Sequence, residues 1–194
     1  MGWMFMPLKR YADFSGRSRR MEYWMWQVFK LIVGTIFMIL FFSIFGAAFY
    51  TLAGAKDPSQ LDPNQLIAVG GGMLILCMIY MVFALGILIP DIAVAVRRLH
   101  DTNRTGWWVL APVVPYLIGV VTMVVTVGVA GGMQPGAEIG NSLVATVGII
   151  SLVSMLATLA LALTLLIFMF IDGTPGPNRY GPDPKGRDAS QVFS

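Results

Sequence analysis

The densest group of polar side chains in the sequence is Arg97-Arg98-Leu99-His100-Asp101, which lies between two apolar runs. His100 is the sole histidine, and a histidine beside a carboxylate can act as a general base near neutral pH. The paired arginines suit phosphate, because their planar forks match its oxygens. No nucleophile at a known spacing accompanies His100. Three interpretations therefore stay open: a catalytic pair, a structural network that ties helix ends together, and a site for an anionic group.

Two further segments combine charged, aromatic and turn-forming residues. Residues 14–24 include Arg17, Arg20, Glu22 and Trp24, and from about Ser18 the pattern is amphipathic. Basic and aromatic residues side by side suit a helix at the headgroup layer, either as an anchor or as a ligand contact. Residues 172–184 hold four prolines and three glycines, which excludes a helix. Because Asn, Arg, Tyr and Asp are interspersed with these turns, we expect an ordered lid that folds back rather than a free tail.

Metal and cofactor chemistry find little support in the sequence. Cys77 is the only cysteine and lies within an apolar run, so no disulfide can form within the chain. One histidine and one distant cysteine do not make a zinc site. We expect no metal and no cofactor.

Composition predicts an all-α, polytopic membrane protein. Hydrophobic residues make up 57% of the chain and charged residues 12%, whereas soluble domains carry about 25% charged residues. Four stretches lack any charge, and each exceeds the roughly 20 residues that a helix needs to cross a bilayer. We expect a bundle of four transmembrane helices within one membrane domain, at residues 31–53, 66–96, 107–130 and 143–171. An amphipathic segment (1–30), a polar loop (97–106) and a Pro/Gly-rich tail (172–194) complete the chain.

The distribution of Lys and Arg predicts the orientation. The five segments outside the apolar runs carry six, one, three, zero and three of these residues, in chain order. Positive segments stay in the cytoplasm. We therefore expect cytoplasmic N- and C-termini, with the polar loop 97–106 on the same side. The net charge of +3 then reflects topology, and a membrane surface fits it better than nucleic acid.

Three residues inside or beside the apolar runs call for a local explanation. Asp91 follows Pro90 near the expected inner edge of the bilayer, where an unpaired carboxylate is costly. Arg98, or a basic residue of the N-terminal segment, is the expected ion-pair partner. Pro112 and Pro115 should kink or break the third run, because proline lacks the N–H of a helical hydrogen bond.

Three motifs in order around the apolar runs resemble a family of bacterial inner-membrane proteins, the domain-of-unknown-function 805 (DUF805) family. The motifs are Gly16-Arg17-x-x-Arg20-x-Glu22-Tyr23-Trp24, Arg97-Arg98-Leu99-His100-Asp101 with Gly106-Trp107-Trp108, and Gly173-Thr174-Pro175-Gly176-x-Asn178-Arg179-Tyr180-Gly181-Pro182-Asp183-Pro184. The resemblance spans residues 9–185 and implies a location in the bacterial cytoplasmic membrane. It also implies a shared polar surface made of Arg17, Arg20, Glu22, Trp24, Arg97, Arg98, His100, Asp101, Asn178 and Arg179. It implies no particular activity.

Three functional hypotheses remain at this point. The first, which we prefer, is a non-enzymatic module whose cytoplasmic polar surface binds an anionic headgroup, a small anion or a partner protein. The second is a transporter or channel that forms its pore as a homo-oligomer, although the apolar runs carry almost no charge at mid-depth. The third is a membrane enzyme that acts on a lipid or phosphate ester through His100 and Asp101.

Overall fold

The computed structural model describes residues 2–54, 62–132 and 141–186. Its elements are α1 (Met6–Lys9), α2 (Arg20–Gly54), α3 (Pro63–Asp101), a 3-10 turn (Gly106–Leu110), α4 (Val113–Gly132) and α5 (Asn141–Phe170). Within the described ranges there is no strand, and one isolated bridge joins Asn178 to Gly181. Four helices of the described residues are long and apolar enough to cross a membrane. The all-α, polytopic fold class is confirmed.

Helices α2 and α3 are longer than the apolar runs from which they were predicted. Helix α2 has 35 residues and begins at Arg20, so the basic and aromatic segment is continuous with the first apolar run. Helix α3 has 39 residues and continues to Asp101. At 1.5 Å per residue the two helices measure about 52 and 58 Å, against a hydrocarbon core of about 30 Å. Each helix can therefore carry its polar residues beyond the lipid chains.

The third apolar run is interrupted where the two prolines predict it. A 3-10 turn at Gly106–Leu110 precedes α4, which begins at Val113. Pro115 lies in the first turn of α4, where a missing N–H costs nothing, because first-turn amides have no helical acceptor. The expected break is confirmed.

The chain divides into two compact units. The first comprises Met1–Asp13 and Met21–Val94, and the second Phe14–Arg20 and Ala95–Ser194. In the first unit, Trp26 is fully buried and stacks on Phe29 at a centroid distance of 5.3 Å. Phe37 of α2 meets Tyr80 of α3 edge to face at 5.2 Å. Aromatic packing thus joins the two helices within this unit.

In the second unit, α4 packs along α5. A Cβ added at Gly119 would lie 3.5 Å from the Cβ of Ser154, so a small residue permits a close approach there. The buried side chains of Leu99 and Met169 form the apolar part of the core beside the polar residues described below. The end of the predicted tail, residues 187–194, lies outside the described residues.

Candidate functional site

Arg17 is the centre of a buried polar network in the second unit. The preceding Gly16 has φ of 76°, a left-handed conformation that turns the chain. The backbone N–H of Ser18 then donates to the carbonyl of Arg97 at 3.1 Å, which fixes this segment against the end of α3. The side chain of Arg17 is only 1% exposed as a result.

The guanidinium of Arg17 joins α3 to the tail. Its Nε donates to Asp101 Oδ1 at 2.9 Å. Its Nη1 donates to the carbonyl of Gly176 at 2.7 Å, and its Nη2 to that of Thr174 at 2.6 Å. Only arginine has a planar fork that can serve acceptors on several sides at once. One side chain therefore holds three segments that lie far apart in sequence.

Asp101 accepts hydrogen bonds from two arginines. Arg98 Nη1 donates to Asp101 Oδ2 at 2.6 Å, while Arg17 occupies the other oxygen. Arg98 is fully buried and also donates to the carbonyls of Met169 and Ile171 at the end of α5. A second carboxylate, that of Asp183, lies 3.9 Å from Arg17. We call Arg17, Arg98, Asp101 and Asp183 the arginine network.

Arg97 is hydrogen-bonded to the segment that carries Arg17. Its Nε donates to Ser18 Oγ at 3.0 Å, and its side chain is fully buried. Asp101 pairs with Arg98, which lies three residues earlier in α3. Within the described residues, no buried side-chain nitrogen or oxygen lacks a hydrogen-bond partner. Each buried nitrogen of Arg17 and Arg98 therefore already has an acceptor within the protein.

The tail is folded onto the end of α3 by Asn178. Its side-chain amide donates to the carbonyl of His100 and to Thr174 Oγ1, both at 3.0 Å. A tight turn follows, in which Asn178 and Gly181 exchange backbone hydrogen bonds of 3.0 Å in each direction. Residues 172–186 thus adopt a defined course, with turns where the prolines and glycines exclude a helix.

Gly173 marks the closest approach of the tail to the arginine network. A Cβ added there would collide with the carboxylate of Asp101. The backbone N–H of Thr174 donates to the carbonyl of Asp101 at 2.9 Å. The close approach explains why only glycine fits at position 173.

His100 is held by stacking rather than by its neighbouring carboxylate. Its ring lies on that of Tyr180 at a centroid distance of 3.8 Å and an interplanar angle of 6°. Its Nδ1 lies 3.2 Å from the carbonyl of Gly16. Because the Asp101 carboxylate is engaged by two arginines, it does not orient the imidazole as in a catalytic pair. In this geometry the stacking of His100 on Tyr180 attaches the tail to the end of α3.

An exposed cationic edge borders the network. Arg20 Nη2 donates to Asp172 Oδ2 at 2.9 Å, and Lys185 Nζ donates to Asp172 Oδ1 at 2.6 Å. The side chains of Arg20, Asp172 and Lys185 are 43%, 50% and 31% exposed. Arg20 also donates to the carbonyl of Phe170, the last residue of α5, at 3.1 Å. We call these three charged residues the cationic edge.

Comparisons with known proteins agree with the motif pattern. A family model described as a protein of unknown function (DUF805) matches residues 11–182. The chain belongs to the DUF805 family. Inner membrane protein YhaI of Escherichia coli (strain K12) is 30% identical over 185 residues, which cover 95% of this DUF805 chain and 97% of the relative. Inner membrane protein YhaH of the same strain is 28% identical over 185 residues, covering 95% and 98%. No solved structure matches.

Other predicted site residues of the DUF805 chain lie outside the network. Arg179 is exposed, donates to the carbonyl of Asn103 at 3.2 Å and lies 4.7 Å from the Tyr180 ring centroid. Glu22 and Trp24 belong to the first unit, where Glu22 is buried and Trp24 meets Tyr23 edge to face.

The ion-pair partner of Asp91 is Lys30 rather than Arg98. In the first unit, Lys30 Nζ donates to Asp91 Oδ1 at 2.5 Å, and Trp26 Nε1 donates to the same oxygen at 2.9 Å. Arg98 forms its ion pair with Asp101, so the expected ion pair between Asp91 and Arg98 is wrong. The other expected kind of partner, a basic residue of the N-terminal segment, is the one present. Trp26 was missed because the sequence gives its amphipathic position but not its partner.

Sequence reasoning singled out Arg20 but missed the other two residues of the cationic edge. Asp172 and Lys185 are thirteen residues apart in a segment without helical or strand periodicity, so no spacing rule brings them together. Among the described residues, no three His, Cys, Asp or Glu side chains are grouped as metal ligands would be.

Proposed function

We propose that this chain is a non-enzymatic inner-membrane module whose cationic edge binds the phosphate of an anionic lipid headgroup. The observation that carries the proposal is the contrast in burial between the two groups of arginines. Arg17 and Arg98 are closed off inside the arginine network, whereas Arg20 and Lys185 reach the surface and share one carboxylate. The network is then the scaffold, and the edge is the binding surface.

Charge and hydrogen-bonding capacity support this assignment. Two cations share the single carboxylate of Asp172, so these three residues carry a net positive charge. A guanidinium has five N–H donors and an ammonium three, and the contacts made by Arg20 and Lys185 use only part of them. The remaining donors can bind phosphate oxygens, which form charge-assisted hydrogen bonds with both types of cation.

The expected depth of the edge also supports a headgroup ligand. Arg20 is hydrogen-bonded to the carbonyl of Phe170, where α5 and the fourth apolar run end together. The first polar residues after a transmembrane helix lie at the level of the lipid headgroups. The Lys and Arg distribution favours the cytoplasmic side for this level, with both termini inside.

The position of His100 argues for a scaffold rather than for phosphate-ester chemistry. A general base needs an oriented imidazole with access to its substrate. Here one face of the ring is covered by Tyr180, and the adjacent carboxylate serves Arg17 and Arg98.

Native mass spectrometry of the purified protein in a neutral detergent would test the proposal. The protein is titrated with phosphatidylglycerol or with phosphatidylcholine, which carries a phosphate but no net charge. We expect tighter binding of phosphatidylglycerol, and a loss of roughly 10- to 150-fold in affinity in Arg20→Gln and in Lys185→Gln, since a hydrogen bond to a charged group contributes roughly 1.5–3 kcal/mol. Arg179→Gln, which removes an exposed cation of the same unit outside the cationic edge, is the matched control and should bind like the wild type.

Two outcomes would reject the proposal. One is equal affinity for the two lipids, and the other is an equal loss in the Arg179→Gln control. Inorganic phosphate in the same titration distinguishes the source of the ligand. Displacement of the lipid by millimolar phosphate would assign the edge to a free anion, whereas a lipid that stays bound supports the headgroup.

A further inference from the structure

The first unit contains a proline-induced gap in the hydrogen bonding of a membrane helix. Pro90 lies inside α3. Proline has no N–H, so it cannot donate to the carbonyl four residues earlier, which is that of Gly86. Gly86 belongs to the charge-free stretch 66–90. A carbonyl without a donor costs several kcal/mol in hydrocarbon, where water cannot replace the missing partner.

Tyr11 supplies the missing donor. Its hydroxyl donates to the Gly86 carbonyl at 2.7 Å. The sequence separation is 75 residues, so the contact is tertiary and fixes the N-terminal segment against α3. Phe5 makes a second contact, with its ring 5.6 Å from that of Phe29 in α2. The segment before residue 14 is therefore attached at two points to helices of the same unit.

Three large apolar side chains of this segment are partly exposed. Trp3, Phe5 and Leu8 are 37%, 45% and 39% exposed. Lys9 and Arg10 follow at once, and Arg10 pairs with Asp13 at 2.7 Å. An apolar edge beside basic residues is the pattern of a segment that lies in the membrane interface.

The depth of attachment agrees with this environment. Asp91, which pairs with Lys30, is the first charged residue of α3 beyond Gly86. Five residues of helix separate the two, which is about 7.5 Å along the axis. Interfacial segments bury their apolar face by about 5–10 Å below the headgroups. With the Asp91–Lys30 pair at the headgroup level, the Tyr11 hydroxyl would lie at the depth that an interfacial segment reaches.

We propose that residues 2–13 form an interfacial anchor, in which Trp3, Phe5 and Leu8 insert among lipid chains while Tyr11 occupies the carbonyl that Pro90 leaves open on α3. The partner is the lipid surface itself. It is chosen because the exposed edge is continuous, through Phe5 on Phe29, with helices that face lipid. The anchor is independent of the cationic edge, which belongs to the second unit.

A double-mutant cycle tests the attachment. Tyr11→Phe removes only the hydroxyl, and Pro90→Ala restores a helical N–H for the Gly86 carbonyl. Thermal unfolding of the full-length chain in detergent is followed for both single variants and the double variant. We expect Tyr11→Phe to lower Tm by about 3 °C in the presence of Pro90, as for a lost hydrogen bond in a chain of this size. With Ala at position 90, the same change should have almost no effect. An equal shift in both backgrounds, or no shift in either, would overturn the role of Tyr11.

A fluorescence measurement tests the lipid contact without relying on Pro90→Ala. In Cys77→Ser, a single environment-sensitive label is attached to Leu8→Cys or, as a matched control, to the adjacent Lys9→Cys, in vesicles of phosphatidylglycerol and phosphatidylcholine. We expect the label at position 8 to be quenched by lipids with a nitroxide high on the acyl chain and shielded from aqueous iodide. The label at position 9 should show the reverse. Equal access of iodide to both labels would overturn the anchor.

Discussion

At the scale of single residues, Arg17 shows why the kind of cation matters in this fold. It reaches a carboxylate and two carbonyls on different segments from a side chain that is 1% exposed. Burying a charge is costly, and its attraction to one carboxylate barely offsets that cost. The carbonyl hydrogen bonds satisfy the remaining donors. The removal of one partner should therefore cost far more than the pair itself contributes.

Gly173→Ala should destabilise the protein strongly, because the new methyl group would displace the Asp101 carboxylate from its two arginines. Breaking such a buried pair costs about 3–5 kcal/mol, which corresponds to a loss of roughly 10 °C in Tm for a chain of this size. Thermal unfolding in detergent measures the shift. Gly46→Ala in α2 meets no atom within 4 Å and is the control. A Tm within about 2 °C of the wild type in Gly173→Ala would contradict the close packing of the tail against Asp101.

At the scale of elements, the tail is held in place by side chains rather than by regular hydrogen bonding. Its prolines cannot donate, and its backbone carbonyls at Thr174 and Gly176 are satisfied by Arg17. Asn178 and the stacking of Tyr180 on His100 attach its middle. The stability of the tail is therefore local and depends on a few contacts.

Arg17→Lys should loosen the tail while leaving the helices intact. Lysine keeps the positive charge but lacks the fork, so it cannot serve Asp101, Thr174 and Gly176 together. We expect trypsin to cleave after Arg179 about tenfold faster in this variant, since cleavage follows the population of the locally opened state. Arg10→Lys is the control, because Arg10 pairs with Asp13 at a partly exposed site. Equal cleavage rates in the two variants would show that the tail does not depend on the guanidinium.

Helix existence could be predicted from the sequence, but the contacts between segments could not. The charge-free stretches located all four long helices, and Pro112 and Pro115 located the break before α4. The three polar motifs were identified, and Arg17, Arg98 and Asp101 are indeed brought together. Their burial was not predicted, because residue type alone does not distinguish a ligand-facing arginine from one enclosed by carbonyls. The partners of Asp91 and Asp172 depend on tertiary packing, to which helical spacing gives no access.

At the scale of the whole molecule, the separation of charged from apolar residues governs how the chain relates to the bilayer. The positive residues are concentrated before the first apolar run, between the second and third, and after the fourth. Such a pattern favours both termini in the cytoplasm. The arginine network and the cationic edge, which belong to one unit, would then lie on that side.

Labelling of single cysteines in intact cells checks this orientation. In Cys77→Ser, cysteines replace Lys9, Ser59, Thr105, Ser142 and Lys185 one at a time, and a membrane-impermeant maleimide is added. We expect labelling at positions 59 and 142 alone, because the positive segments that hold the other three stay inside. Cell lysis should make the remaining positions reactive, which controls for folding. Labelling of intact cells at position 185 would mean an odd number of crossings.

The direction of synthesis determines when the arginine network can form. The carbonyls that receive Arg17 lie 157 and 159 residues after it in the chain. Synthesis runs from the N-terminus, so every membrane helix has left the ribosome before Arg17 can be satisfied. A chain that stops at Ile171 would keep its helices but leave Arg17 without its acceptors at Thr174 and Gly176. We expect pulse-chase labelling to show rapid clearance of that chain by membrane proteases, and normal survival of one ended at Gly186. The arginine network is thus completed only after all four long helices have been synthesised.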